Sequence, residues 1–189
     1  MPIMKKEDNL NQEEEKVLEM SEISLWLNNY SDIFSEFDPR PYSERALSDD
    51  FLNEIKKASR DKPTGTIKLR FLVPSKGRNS KTESMFKERL HKHFKKHNEL
   101  LHKEKKKVLR QGWAFVIFGI LFMFAAAFIL FNYAQKNLIK EFLIVLLQPG
   151  GWFMFWEGLN LLIFEAKRIN PELEFYDKMI KSEVEFLPY

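Results

Sequence analysis

The chain has 189 residues, 30 Lys+Arg against 27 Asp+Glu and a net charge of +3, enough for one compact unit with an appendage and too little for a large multidomain enzyme. It contains no Cys, which excludes a disulfide framework, thiolate catalysis and cysteine metal sites. Mean hydropathy is −0.37 and 30% of residues are charged, the averages of a soluble protein, but the charge and the aromatic residues are distributed in blocks.

Residues 1–50 hold 5 basic and 13 acidic side chains, and residues 51–110 hold 19 basic and 6 acidic. The first block opens with an acidic segment, residues 1–20, expected to be flexible. It has no apolar stretch and does not read as a secretory leader, so the N-terminus is expected to stay inside. Ile23, Leu25 and Leu27 then alternate with Ser24 and Trp26, a strand pattern. Asp32, Glu36, Asp38, Asp49 and Asp50 cluster around Arg40 and Arg45. Paired carboxylates serve acid–base or metal chemistry, but turns and helix caps use the same residues and are the favoured expectation. Ser48 is a candidate N-cap for a helix with Leu47, Phe51, Ile55 and Ala58 on one stripe, ended by the turn Asp61-Lys62-Pro63-Thr64-Gly65.

From Thr66 to Pro74, Ile67, Leu69, Phe71 and Val73 alternate with Lys68 and Arg70, a second strand. Lys68, Arg70, Lys76, Arg78 and Lys81 are candidate ligand-binding cations for a nucleotide or short oligonucleotide; a solvated face neutralised by nearby acids is the commoner explanation of such a run. After the break at Ser75–Asn79, Phe86, Leu90, Phe94, His97, Leu101 and Val108 recur at helical spacing through Arg110. His93 and His97 are four apart, a spacing that permits chelation. No HExxH pattern accompanies them, so solvated polarity is expected and no metal or other cofactor is assigned.

Trp113 to Phe131 is an uninterrupted apolar run of 19 residues, about 29 Å as a helix, matching a bilayer core. Trp113 and Tyr133 stand where interfacial aromatics belong. Phe142–Leu147 is apolar, Gln148-Pro149-Gly150-Gly151 interrupts, and Trp152–Phe164 resumes around Glu157 and Asn160. Two arrangements fit: a kinked helix from about Phe142, or an interfacial segment Leu138–Leu147 followed by a spanning helix with Pro149 in its first turn. The second is preferred because an N-terminal proline costs no hydrogen bond. Lys103, Lys105, Lys106, Lys107 and Arg110 before the first span, and Lys167 and Arg168 after the second, put both ends in the cytosol and draw the protein to anionic lipid.

Glu157 and Asn160, three apart, share a helix face with Phe153 and Phe164; with Gln148 they are the candidate pore-lining or membrane-interior polar residues. A lone hairpin offers little interior to shelter a carboxyl, so self-association into a homo-oligomer is expected. Gly112, Gly119, Ala125-Ala126-Ala127 and Gly158 permit close helix contact. Asn170-Pro171-Glu172 opens a short helix through Met179, and Val184 and Phe186 alternate with Glu183 and Glu185, a last strand whose acids complement Lys68 and Arg70. The fold expected is membrane α+β: a two-helix transmembrane hairpin with a small cytosolic α/β domain formed from both termini. Its segments are 1–20, 21–80, a basic helix 81–111, a span 112–132, an outer loop 133–148, a span 149–169, and a returning helix and strand 170–189.

The layout from His91 to Ile180, a long basic helix, a two-span hairpin and a short helix, resembles in arrangement alone the two-span SLATT group of effectors in bacterial nucleotide-signalling defence systems. The resemblance implies membrane permeabilisation or ion conduction by an oligomer under a nucleotide signal, with a partner protein encoded nearby. The expected function is an oligomeric membrane effector or ion channel of the inner membrane, not an enzyme. A non-conducting anchor that presents a basic cytosolic domain to a partner protein or anionic lipid is the alternative.

Overall fold

A computed structural model describes residues 22–60, 62, 67–132 and 137–189; the acidic segment 1–20, most of the turn after residue 60, Tyr133 and Lys136 lie outside them. The described residues are mostly helical, with two long apolar helices and one three-stranded sheet. They divide into a sheet unit, formed by the chain up to Asn98 and by Glu174–Tyr189, and a hairpin unit, Glu99–Leu173.

In the sheet unit, β1 (Glu22–Trp26), β2 (Lys68–Val73) and β3 (Glu183–Pro188) lie in the order β1-β2-β3, with both pairs parallel. Alternation places Leu69, Phe71 and Val73 on one face, where all are buried. Phe51 of α1 (Asp49–Arg60) packs on Phe71 at 5.6 Å, and Phe86 of α2 (Ser80–Asn132) on Phe186 at 6.5 Å. Phe94 of α2 meets Phe175 of α5 (Asn170–Ile180) at 6.4 Å, so α5 packs on α2. The other face carries charge. Lys68 pairs in register with Glu183 and Arg70 with Glu185, as the complementary charges predict. Arg70 Nη1 lies 2.5 Å from Glu22 and Nε 3.4 Å from Glu185, so one guanidinium ties all three strands. The partner on β1 was not foreseen.

Parallel neighbours need a crossover. Between β1 and β2 it contains α1. Between β2 and β3 it contains everything from Pro74 to Ser182, including both apolar helices. α2 begins at Ser80, one residue before the expected start at residue 81, because the Asn79 side chain accepts from the backbone N–H groups of Lys81 and Thr82. It then runs without interruption through the apolar stretch to Asn132.

The second apolar helix departs from the preferred expectation. No break occurs at Pro149: α3 is one helix from Leu138 to Asn160, capped by the Asn137 side chain on Ile139 N, with Pro149 in its interior. The proline lacks the N–H that would bond the Val145 carbonyl, yet the helix continues for eleven residues on either side of it. A π-helical turn, Leu161–Glu165, and the short α4, Ala166–Arg168, carry the chain to α5.

The hairpin unit is held by a seam of small residues seven apart. Gly112, Gly119 and Ala126 of α2 face Gly151 and Gly158 of α3, and all five are buried. A Cβ at Gly119 would lie 2.6 Å from Phe155 N and 2.8 Å from Gly151 O; one at Gly151 would lie 2.8 Å from Gly119 O. The backbones therefore touch, as in small-residue packing of apolar helices. Gly150, one residue away, has nothing within 4 Å of a Cβ. Counting seven on from Gly158 reaches Glu165, but the π turn inserts one residue and puts Ala166 in the seam instead, 4% exposed, followed seven later by buried Leu173.

Candidate functional site

At about 100° per residue, Asn160 and Phe153 lie opposite the Gly151–Gly158 seam, and Glu157 lies on the flank between. Asn160 is exposed and Glu157 half-buried, within a surface of Phe153, Trp156 and Phe164 that is 53–68% exposed. Among the described residues the side chains of Glu157 and Asn160 enter no hydrogen bond or ion pair. The apolar helix thus turns a carboxamide away from its own hairpin partner and holds a carboxyl on the flank, on a surface that is otherwise largely aromatic. Trp152 and Trp156 meet edge to face at 5.8 Å on the neighbouring stripe.

Gln148 is not part of this group. Nine residues before Glu157, it is about 13 Å away along the axis and on the other side of the helix. There it lines a cleft of about 520 Å³ between the two apolar helices, with Met123, Ala126, Leu130, Ile144 and Trp152. The π turn that follows Asn160 directly was missed from sequence, although the Gly151, Gly158, Ala166, Leu173 spacing of seven, eight and seven is its signature.

The basic candidates divide. Arg70 is engaged by Glu22 and Glu185. Arg78 donates through Nε and Nη2 to the Glu83 carboxylate at 2.9 and 3.0 Å and through Nη2 to Phe186 O at 3.1 Å. Tyr30 donates its hydroxyl to the same carboxylate at 2.8 Å. Arg78 and Tyr30 hold the Glu83 carboxyl below its ordinary pKa, against an opposing effect of burial. Lys68, Lys76 and Lys81 have no ion-pair partner among the described residues. Of the five candidate cations, the two guanidiniums are thus in structural roles and the three ammonium groups are in no ion pair among the described residues.

The acidic cluster behaves as turn chemistry. Asp32 accepts from the backbone N–H groups of Asn28 and Asn29. Asp38 accepts from the Arg40 backbone and guanidinium and from Ala46 N at 2.7 Å, closing the loop; those bonds hold its carboxyl well below the usual range. Asp49 and Asp50 occupy the first turn of α1.

His93 and His97 are stacked at 4.0 Å, and His97 stacks in turn on Tyr176 of α5 at 5.5 Å. The expected solvation of His93 is corrected by this packing: its Nε2 is buried with no hydrogen-bond partner. Among the described residues no group of three or more metal-ligating side chains occurs.

The chain matches no protein-family model, no curated protein and no solved structure.

Proposed function

We propose that the chain is a two-span membrane protein that assembles into a homo-oligomer, with the Phe153, Glu157, Asn160 face of α3 turned toward other copies and toward a conduction path controlled by the sheet unit. The observation that carries this is the unpartnered carboxyl and carboxamide outside the seam on an apolar helix. In lipid such groups need partners or water, and the hairpin supplies neither.

The sheet supports the topology. β2 and β3 are hydrogen-bonded neighbours, so the chain between them crosses a membrane an even number of times. The exposed Lys103, Lys106, Lys107 and Arg110 support a cytosolic position for that shared side and a contact with anionic lipid. α2 is the lever: one helix from Ser80 to Asn132, it carries a tilt imposed in the sheet unit into the span. Lys68, Lys76 and Lys81 are the groups for a nucleotide or oligonucleotide signal, and the resembled effectors place such a protein in bacterial defence beside a partner encoded nearby.

The test is conductance of purified full-length protein in planar bilayers, with its mass in mild detergent. A multimer that passes ions, with selectivity altered in Glu157→Gln, is expected. A non-conducting protein unaffected by Glu157→Gln, yet disabled by charge reversal at Lys68, would instead establish the membrane anchor.

A further inference from the structure

We infer that His93 is an acid-sensitive latch that holds α5 on α2 only while its imidazole is neutral. The geometry is a three-ring stack: His93 on His97 at 4.0 Å and 28°, and His97 on Tyr176 at 5.5 Å and 17°. The His97 Nδ1–H donates to His93 O at 3.0 Å, which fixes the ring between the other two. His93 also lies edge-on to Phe94 at 5.8 Å and 6.5 Å from Tyr176.

Among the described residues no acceptor lies within hydrogen-bond reach of His93 Nε2. Its Nε2 is buried and unpartnered, so an imidazolium there would have an N–H with no acceptor. The charges acting on it, from His97, Arg89 and Lys96 of its own helix, are all positive. From α5 the ring that faces it is Tyr176; Asp177, the next residue, is committed to Asn98, whose Nδ2 donates to it at 2.6 Å. Glu172 stands one turn from Tyr176 on the same face of α5 and is the remaining carboxylate to control for. Burial, reinforced by His97, Arg89 and Lys96, pushes the His93 pKa down to about 4 in the closed state.

The sign follows. A histidine whose closed-state pKa lies below its open-state value of about 6.5 favours opening as pH falls through the interval between them. The contribution of neutral His93 to closure is present in full above about pH 6.5, weakens with each unit of acidification, and levels off near pH 4. Between about pH 7.5 and about pH 5 the opening equilibrium changes by roughly thirtyfold. Because α5 leads into β3, opening frees the helix that precedes the returning strand. Acidification of the compartment that bathes the sheet is thus a signal the fold registers, whether or not the protein conducts ions.

Amide hydrogen exchange of the full-length protein in detergent tests this, with rates corrected for the intrinsic effect of pH. Protection of Asn170–Ile180 is expected to fall roughly thirtyfold between about pH 7.5 and about pH 5, and to stay constant in His93→Phe, which keeps the stack without the titrating group. Glu172→Gln is expected to retain the pH dependence. Constant protection in the unaltered protein, or pH dependence that survives His93→Phe, overturns the latch. If His93→Phe does not fold, the NMR titration of His93 in the unaltered protein decides: a midpoint near 4 supports the latch, and one near its ordinary value of 6.5 refutes it.

Discussion

Gly150 and Gly151 are adjacent, both helical, and chemically identical, yet they differ in what a methyl group would meet. At Gly151 it would strike the Gly119 carbonyl, and at Gly150 it would enter open space. Gly151→Ala and Gly119→Ala are each expected to destabilise the hairpin by about 1–3 kcal/mol through overpacking, whereas Gly150→Ala is neutral or stabilising by up to about 1 kcal/mol. Thermal unfolding of the three variants in one detergent checks this. Glu83 gives a second prediction at the same scale. Its carboxyl pKa is lowered by Arg78 and Tyr30, so the stability it contributes is present above its ordinary value of 4.5 and lost as pH falls below it. In Glu83→Gln the stability profile should flatten over that acidic interval, measured by denaturant midpoint as a function of pH.

At the scale of elements, the π turn acts as a one-residue correction that keeps Glu165 out of the seam and Ala166 in it. Deleting the exposed Ile163 should therefore leave the hairpin folded, since a plain α-helix of that length delivers Ala166 to the same place. Adding one residue within α3 between Gly151 and Gly158 should cost several kcal/mol by turning Gly158 out of contact. Circular dichroism with thermal melts distinguishes the two. Much of this level was legible beforehand. The Leu69, Phe71, Val73 alternation gave β2, and the opposed charges of Lys68 and Arg70 against Glu183 and Glu185 gave the correct register for β3 across more than a hundred residues. The seam glycines 112, 119 and 158 announced themselves by size. Gly151 did not, because Pro149 beside it favours a helix start by local preference, while the continuous apolar faces on both sides stabilise a helix through it. The burial of His93 was hidden for a related reason: its lysine-rich neighbours mark a solvated face, while Tyr176, 83 residues later, packs against the His93–His97 pair.

For the whole molecule, the topology joins two demands. The strands on either side of the apolar hairpin join one sheet, and in the proposed reading that sheet lies on one side of the membrane; the seam consumes one face of each apolar helix and leaves the opposite face of α3 without a partner inside the hairpin. The absence of cysteine makes this face accessible to a direct measurement. Single-cysteine variants along α3 and the π turn, from Gly150→Cys to Phe164→Cys, are oxidised in native membranes and resolved without reductant. The account predicts covalent dimers with helical periodicity, strongest for Phe153→Cys and Asn160→Cys and absent for Gly151→Cys and Gly158→Cys. Monomers at every position, or dimers centred on the glycine positions, would contradict it.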